Sequence, residues 1–187
     1  VLIGANDPEG MRRHTDECRF RGYPFAADPS QQLARMDGDD IKPLIEGAEY
    51  LFTNEYEAAL IEQKTGWTAA DLAAIVNVRI ITLGPDGARI ERRGCDPVLV
   101  GVPEEESKAD PTGVGDAFRA GFLASQSWGL SDERSAQVGS LVATYVIETI
   151  GTQEYQLAEQ HFLQRLATAY GDDAAAEINQ HVSCPRP

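Results

Sequence analysis

Short apolar runs alternate with longer segments whose apolar residues recur at helical spacing, and the alternation repeats along most of the chain. Val1-Leu2-Ile3 before Gly4 reads as the tail of a buried strand. Asp7-Pro8-Glu9 then starts a helix over 8–21, with Asp7 as N-cap and Pro8 at the first helical position. Tyr23-Pro24-Phe25-Ala26-Ala27 is the next strand, stopped by Asp28-Pro29-Ser30. A polar helix or turn follows over 39–47, a strand over 49–53 and a helix over 54–64. Thr68 caps a helix through Val76, with Asp71 at its third position. Residues 79–83 form a strand and Gly84-Pro85-Asp86-Gly87 a turn. Segments 88–91 and 98–102 read as a hairpin-type pair at a sheet edge. From Gly115 the pattern is helical almost to the end. Ser131 caps a long helix through about Thr149, and two more helices fill 156–170 and 172–181.

Strands alternating with helices predict an α/β fold with a mostly parallel sheet and helices on both faces. Ligands of such sheets gather at the carboxyl ends of the strands. The chain opens inside a strand and not on Met, so the expectation is a piece cut from something longer. Residues 94–108 are the most irregular stretch, and Glu104-Glu105-Glu106 reads as a solvated loop.

Charge removes several function classes. Lys and Arg total 16 against 30 Asp and Glu, a formal charge of −14. That balance argues against nucleic acid as the partner, because a phosphate backbone is read by clustered basic residues. No apolar run approaches the roughly 20 residues needed to cross a bilayer, and the N-terminus lacks the pattern of a secretory signal. Cys18, Cys95 and Cys184 form no close pair, which fits a reducing cytoplasm. His14, His161 and His181 share no metal-ligand spacing.

The candidate chemistry lies in Asp110-Pro111-Thr112-Gly113-Val114-Gly115-Asp116-Ala117-Phe118. Its glycines let the backbone approach a ligand closely, and the residues after them have helical spacing. The turn therefore feeds a helix N-terminus, where unpaired N–H groups and the dipole favour an anion. Asp116 in such a site is poorly placed to bind phosphate. It is well placed to take a proton from a hydroxyl held beside one, in a ligand cleft. No Lys follows Gly115, which excludes a P-loop, and Phe118 stands where a dinucleotide fingerprint needs its third Gly. On these residues alone, Asp116 as a plain helix cap and Asp116 as a base stand level.

Residues 110–123 resemble the second signature of the ribokinase-like, or PfkB, carbohydrate kinases, Asp-Thr-x-Gly-Ala-Gly-Asp before a small-residue helix. This chain has Pro111 for the usual Thr and Val114 for the usual Ala, and keeps both glycines and both aspartates. Asn54-Glu55-Tyr56-Glu57 matches the family's Asn-x-x-Glu motif, and also fits a capping box. Thr82-Leu83-Gly84-Pro85-Asp86-Gly87 resembles the family's strand-end turn that touches the nucleotide, and also fits a plain reverse turn. Together with Phe25 to Leu33 and Gly151-Thr152-Gln153-Glu154, these segments are most similar to the bacterial adenosine kinases, over the chain to about Tyr170.

The resemblance implies a three-layer α/β sandwich in which residues 1–187 are the C-terminal, nucleotide-binding part and the N-terminal strands and lid are missing. It implies an ATP-dependent phosphotransferase with Asp116 as general base. The N–H groups of Gly113, Val114, Gly115 and Asp116 form its anion hole. Asn54, Thr82, Gly84, Gly87, Gly139 and Ala143 would contact the nucleotide, the last two on the helix after Ser131. Mg²⁺ would accompany ATP, with Glu57 and Asn54 ordering its water shell, and Asp110 would serve a monovalent cation such as K⁺. The acceptor would be the ribose 5′-OH of adenosine, or alternatively a free sugar. Arg119 would reach substrate or phosphate, or extend to solvent. The parent would dimerise through the lid. Without the early strands, the chain as given is expected to be a weak or inactive catalyst. A nucleotide-binding module without phosphotransfer is the second class of function, and a dinucleotide oxidoreductase stands well behind both.

Overall fold

Parallel neighbours in a sheet need a crossover between them, and the first four strands are joined by three connections that each contain a helix. These strands are β1 (Leu2–Gly4), β2 (Ala26–Asp28), β3 (Tyr50–Asn54) and β4 (Val78–Thr82). They pair in parallel, Leu2 opposite Ala26, Ala26 opposite Tyr50 and Tyr50 opposite Val78. With β5 (Ala88–Arg92) and β6 (Val98–Val100) they form a six-stranded sheet in chain order. The structure, a computed structural model, describes residues 1–182, and Cys184 lies outside them. Consecutive residues of a strand face opposite sides. Leu51 and Phe52 are both buried, as are Ile80 and Ile81, so β3 and β4 are covered on both faces.

The helices start where local chemistry says they should. In α1 (Pro8–Arg21) the Asp7 carboxylate accepts the Gly10 N–H at 2.8 Å, with Pro8 in the first turn. After α2 (Gly38–Ile45), Asn54 and Glu57 cap α3 (Glu55–Thr65) reciprocally. Thr68 and Asp71 do the same for α4 (Ala69–Ile75). β2 begins three residues later than the apolar run suggests. The end of α1 takes those residues: Gly22 is left-handed, Tyr23 N–H closes onto the Cys18 carbonyl at 2.8 Å, and Pro24 has no N–H for a ladder.

Two compact units divide the chain. The first comprises Val1–Gly84 with Arg89–Val98, and the second Pro85–Ala88 with the chain from Leu99 on. The first has a core that includes Ile3, Met11, Leu33, Ile41, Leu51 and Leu72. In the second, α5 (Val114–Ser127), α6 (Asp132–Ile147), α7 (Glu159–Tyr170) and α8 (Asp172–Val182) enclose Leu141, Val146, Phe162, Leu166 and Ile178. Ser131 caps α6 as expected, accepting the Arg134 N–H at 3.2 Å. α5 and α6 cross at Gly121 and Gly139. A Cβ on Gly121 would stand 2.9 Å from the Gly139 Cα, and one on Gly139 would stand 2.7 Å from the Phe118 carbonyl oxygen.

Gly139→Ala therefore sets two effects against each other. Alanine's helix propensity favours the variant by about 1 kcal/mol. Overpacking against a backbone oxygen that cannot rotate away costs about 1–3 kcal/mol. The expected result in urea denaturation is a net loss of stability. A gain would show that the crossing yields freely.

Candidate functional site

The carboxyl ends of the parallel strands are in register: Gly4 lies opposite Asp28, and Asn54 opposite Thr82. Asn54 ends β3 and caps α3 at once. Its Oδ1 accepts the Glu57 N–H at 2.8 Å, and the Glu57 carboxylate accepts the Asn54 N–H at 2.8 Å. Ser30 joins this pair, its hydroxyl donating to Glu57 Oε1 at 3.3 Å. Ser30 has φ +44°, the single positive φ among the described residues other than glycine. Such a backbone costs an L-residue about 1–2 kcal/mol. Asp28, only 3% exposed, closes β2 two residues before it. In the sequence, Asp28-Pro29-Ser30 reads as a strand stop, yet a polar run at a strand's carboxyl end is also the signal of a ligand-facing position. The Thr82 hydroxyl donates to the Thr53 carbonyl at 3.4 Å, and Gly84 opens a 3-10 turn through Asp86.

Mg²⁺ prefers oxygen and retains several waters. A carboxylate has about four acceptor sites, and the two oxygens of Glu57 each accept one described hydrogen bond. Capacity remains for metal-bound water. Among the described residues no cluster of three or more His, Cys, Asp or Glu could grip a metal directly. The donor set thus fits a magnesium reached through water.

In the second unit the Asp110–Asp116 turn is tied down from several sides. The N–H groups of Ala109 and Asp110 both donate to the Ile147 carbonyl, at 2.8 and 3.2 Å. The Asp110 carboxylate accepts the Thr112 N–H at 2.9 Å. The Thr112 hydroxyl and N–H, and then the Gly151 N–H, hold its carboxyl below the usual range. This carboxylate is thus largely occupied in closing its own turn. Gly113 is left-handed, φ +83°, and a Cβ there would stand 2.9 Å from Thr152 Cγ2. It is the N-cap of α5 and offers no side chain to the first amides. Val114 N–H closes onto the Pro111 carbonyl at 3.3 Å. The N–H groups of Gly115 and Asp116 follow in the first turn, where a helix has no carbonyl of its own to offer them.

Asp116 is the third residue of α5. Its carboxylate meets Arg119 Nη2 at 2.7 Å, and the guanidinium lies along Gly115, 3.1 Å from where a Cβ would sit. The Arg119 side chain is 20% exposed and that of Asp116 is 81% exposed. The carboxylate expected to face a cleft thus stands open to solvent, paired with Arg119 across one turn of the helix. Gly87 backs directly onto the Val100 carbonyl, which leaves no room for a side chain. Gly139 is accounted for by the helix crossing, and Ala143 lies buried one turn further on. Asn54, Glu57, Thr82 and Gly84 belong to the first unit; Gly87, Asp110, Gly113–Asp116, Gly139 and Ala143 belong to the second.

Residues 3–159 match the family model for pfkB family carbohydrate kinase. The nucleoside kinase of Methanocaldococcus jannaschii is 29% identical over 156 residues, covering 82% of this chain and 50% of that protein. A 1-phosphofructokinase of Haloferax volcanii is 30% identical over 166 residues, with coverage of 82% and 50%. The chain thus spans about half the length of these relatives. The structure of Burkholderia thailandensis nucleoside kinase in complex with inosine superposes with a TM-score of 0.87 at 36% identity, covering 91% of this chain and 57% of that one. The same kinase in complex with ADP-inosine gives 0.87 at 36%, covering 91% and 53%.

The two glycines of the turn should respond differently to alanine. Gly113→Ala must place a Cβ at a left-handed position against Thr152, at a cost of about 1–2 kcal/mol. Gly115→Ala lies inside α5, meets only the movable end of Arg119, and should be neutral or stabilising by up to about 1 kcal/mol through helix propensity. Urea denaturation of both variants checks the contrast, and equal losses would contradict it.

Proposed function

The chain belongs to the pfkB family of carbohydrate kinases, and we propose that it carries the nucleotide-binding half of an ATP-dependent nucleoside kinase. The observation that carries this reading is the local order at the head of α5: a left-handed Gly113, two N–H groups of the open first turn, then Asp116. Phosphoryl transfer needs positioning and charge stabilisation more than covalent help. The N–H groups of Gly115 and Asp116 would take the equatorial oxygens of the transferring group, with Gly113 and Val114 completing the cradle as their own bonds allow. Each such preorganised donor is worth about 3–4 kcal/mol where removal has been measured. Asp116 accepts the proton of the acceptor hydroxyl. That oxygen bonds to the γ-phosphorus, the bond to the bridging β–γ oxygen breaks, and ADP leaves. Arg119 keeps the carboxylate oriented until the hydroxyl arrives.

Magnesium, when bound with ATP, supplies charge neutralisation on the phosphates. Glu57 and Asn54 would order its water, with Ser30 fixing the Glu57 carboxylate. Thr82 and Gly84 in the first unit, and Gly87 and Ala143 in the second, are proposed to contact the nucleotide, whereas the space beside Gly139 is taken by Phe118. Asp110 serves first as the knot of its own turn, and a monovalent cation such as K⁺ would share it. Similarity to a kinase solved with inosine and with ADP-inosine favours a nucleoside, phosphorylated at its ribose 5′-OH. Adenosine is the finer proposal. The 1-phosphofructokinase match supports a sugar acceptor as the second reading. Rates of the full-length protein with adenosine, inosine and ribose rank these options.

Asp116→Asn in the full-length protein should lower turnover by about 10²- to 10⁴-fold, the usual share of a general base, with ATP affinity nearly unchanged in a calorimetric titration. Unchanged turnover removes the base. ATP binding without turnover in the unaltered protein favours the non-catalytic module. Glu57→Gln tests the metal role separately. Glutamine keeps the capping box, so the melting temperature should hold while the magnesium needed for half-maximal rate rises several-fold. A fall in melting temperature with no change in magnesium demand would reduce Glu57 to a cap.

A further inference from the structure

A nearly buried ion pair in the second unit is linked by an unbroken series of contacts to the catalytic turn. Arg165 of α7 donates to both oxygens of Glu148, each at 2.7 Å, and its Nη2 also donates to the Glu104 carbonyl at 3.0 Å. The two side chains are 11% and 12% exposed. The guanidinium lies over the Tyr145 ring, 4.7 Å from its centre, a cation–π contact. Glu148 follows the last residue of α6 and spends the same carboxylate a second time, accepting the Glu106 N–H at 2.8 Å. Three residues on, the N–H groups of Ala109 and Asp110 take over, both donating to Ile147. Asp110 then closes onto Thr112 and Gly151, and Thr152 lies beside Gly113 where an added Cβ would stand. Segment 104–113 is in this way fastened to segment 147–152 along its length, with the ion pair at one end and the turn at the other.

We propose that Glu148 and Arg165 are positioning residues for the Asp110–Asp116 turn, setting the place of Gly113–Asp116 by fixing the chain that leads into it. Burial alone would raise the Glu148 carboxyl, but hydrogen bonds from Arg165 and the Glu106 N–H outweigh it and hold the group below the usual range. The bond to Glu148 raises the Arg165 guanidinium. Both groups stay ionised through neutral pH, so the clamp remains closed there. A lysine at 165 would keep the charge yet could not reach both Glu148 oxygens and the Glu104 carbonyl in one plane.

Two experiments test the clamp, one independent of any activity. In amide hydrogen exchange on this chain, Arg165→Met should speed exchange at Glu106, Ala109, Asp110 and Thr112 by about tenfold or more, with α6 residues 138–146 unchanged. Should that variant not fold, Arg165→Lys carries the same test. Unchanged exchange at 109–112, or equal acceleration throughout the second unit, overturns the proposal. The kinetic arm rests on the phosphoryl-transfer reading of the turn. In the full-length protein, Arg165→Lys and Glu148→Gln should lower kcat by about tenfold or more while KM for ATP stays within about twofold, since a small misplacement of reacting groups costs that much. Faster exchange with unchanged kcat shows a merely structural clamp and overturns the positioning role. If the unaltered protein shows no turnover, the functional reading fails while exchange still decides whether the clamp holds the turn.

Discussion

Gly113 has a left-handed backbone and no space beside it for a Cβ. Those two constraints decide where the acidic turn stops and α5 begins. Any side chain there would have to push Thr152 away or abandon the left-handed conformation. Either change would rotate the first amides of α5 and carry Asp116 with them. The rest of the turn reinforces this choice. Asp110 draws Thr112 and Gly151 together, and Ile147 holds the two residues that lead in. Backbone direction at Gly113 thus decides where the Asp116 carboxylate stands.

Much of the architecture is legible in the sequence because helix starts are local events. Asp7, Asn54, Thr68 and Ser131 each cap a helix within three residues of themselves, so spacing alone identifies them. The parallel sheet is legible because apolar runs alternate with helical segments. What escaped is non-local. Ser30 reaches Glu57 across 27 positions from a left-handed serine, a conformation that serine does not announce. Arg165 reaches Glu104 across 61 positions, and the acidic run around Glu104 looked like ordinary solvated loop. The partner of Arg119 lies only three residues away, yet a long arginine on a first turn has too many options for spacing to choose among them. Gly139 is ambiguous for a different reason: a missing side chain makes room equally for a ligand and for a neighbouring helix, and here Phe118 occupies the space.

Asn54 and Glu57 illustrate how capping and function can share the same atoms. A capping box is worth about 1 kcal/mol, and an acidic residue in the first turn adds a few tenths through the dipole. Those gains do not require Ser30 to adopt a strained backbone so as to reach the same carboxylate. A carboxylate fixed from two sides would suit the proposed contact with magnesium-bound water better than a free one, since less freedom would be lost when the ion arrives. Asp116 follows a similar logic. An exposed pair with Arg119 three residues on contributes only some tenths of a kcal/mol. Stability alone is a weak reason to set an arginine over a glycine-lined turn, whereas a proton acceptor whose orientation matters is a stronger one.

The charge of the chain sharpens the point. At −14 overall, its long-range field repels a polyanion such as ATP. That field is screened over about 8 Å at physiological salt, while hydrogen bonds to phosphate oxygens act within about 3 Å. In the proposed nucleotide site, recognition would therefore rest on short-range donors fixed before the ligand arrives and on a metal that cancels part of the phosphate charge. The amides of the α5 first turn are donors that no side chain of the N-cap has taken. Arg119 is a cation spent on Asp116, so it lowers the local negative charge where a phosphoryl group would approach. An acidic protein can hold a nucleotide in this way only if its few donors point correctly. Backbone order around Gly113 therefore carries more weight here than the count of basic residues.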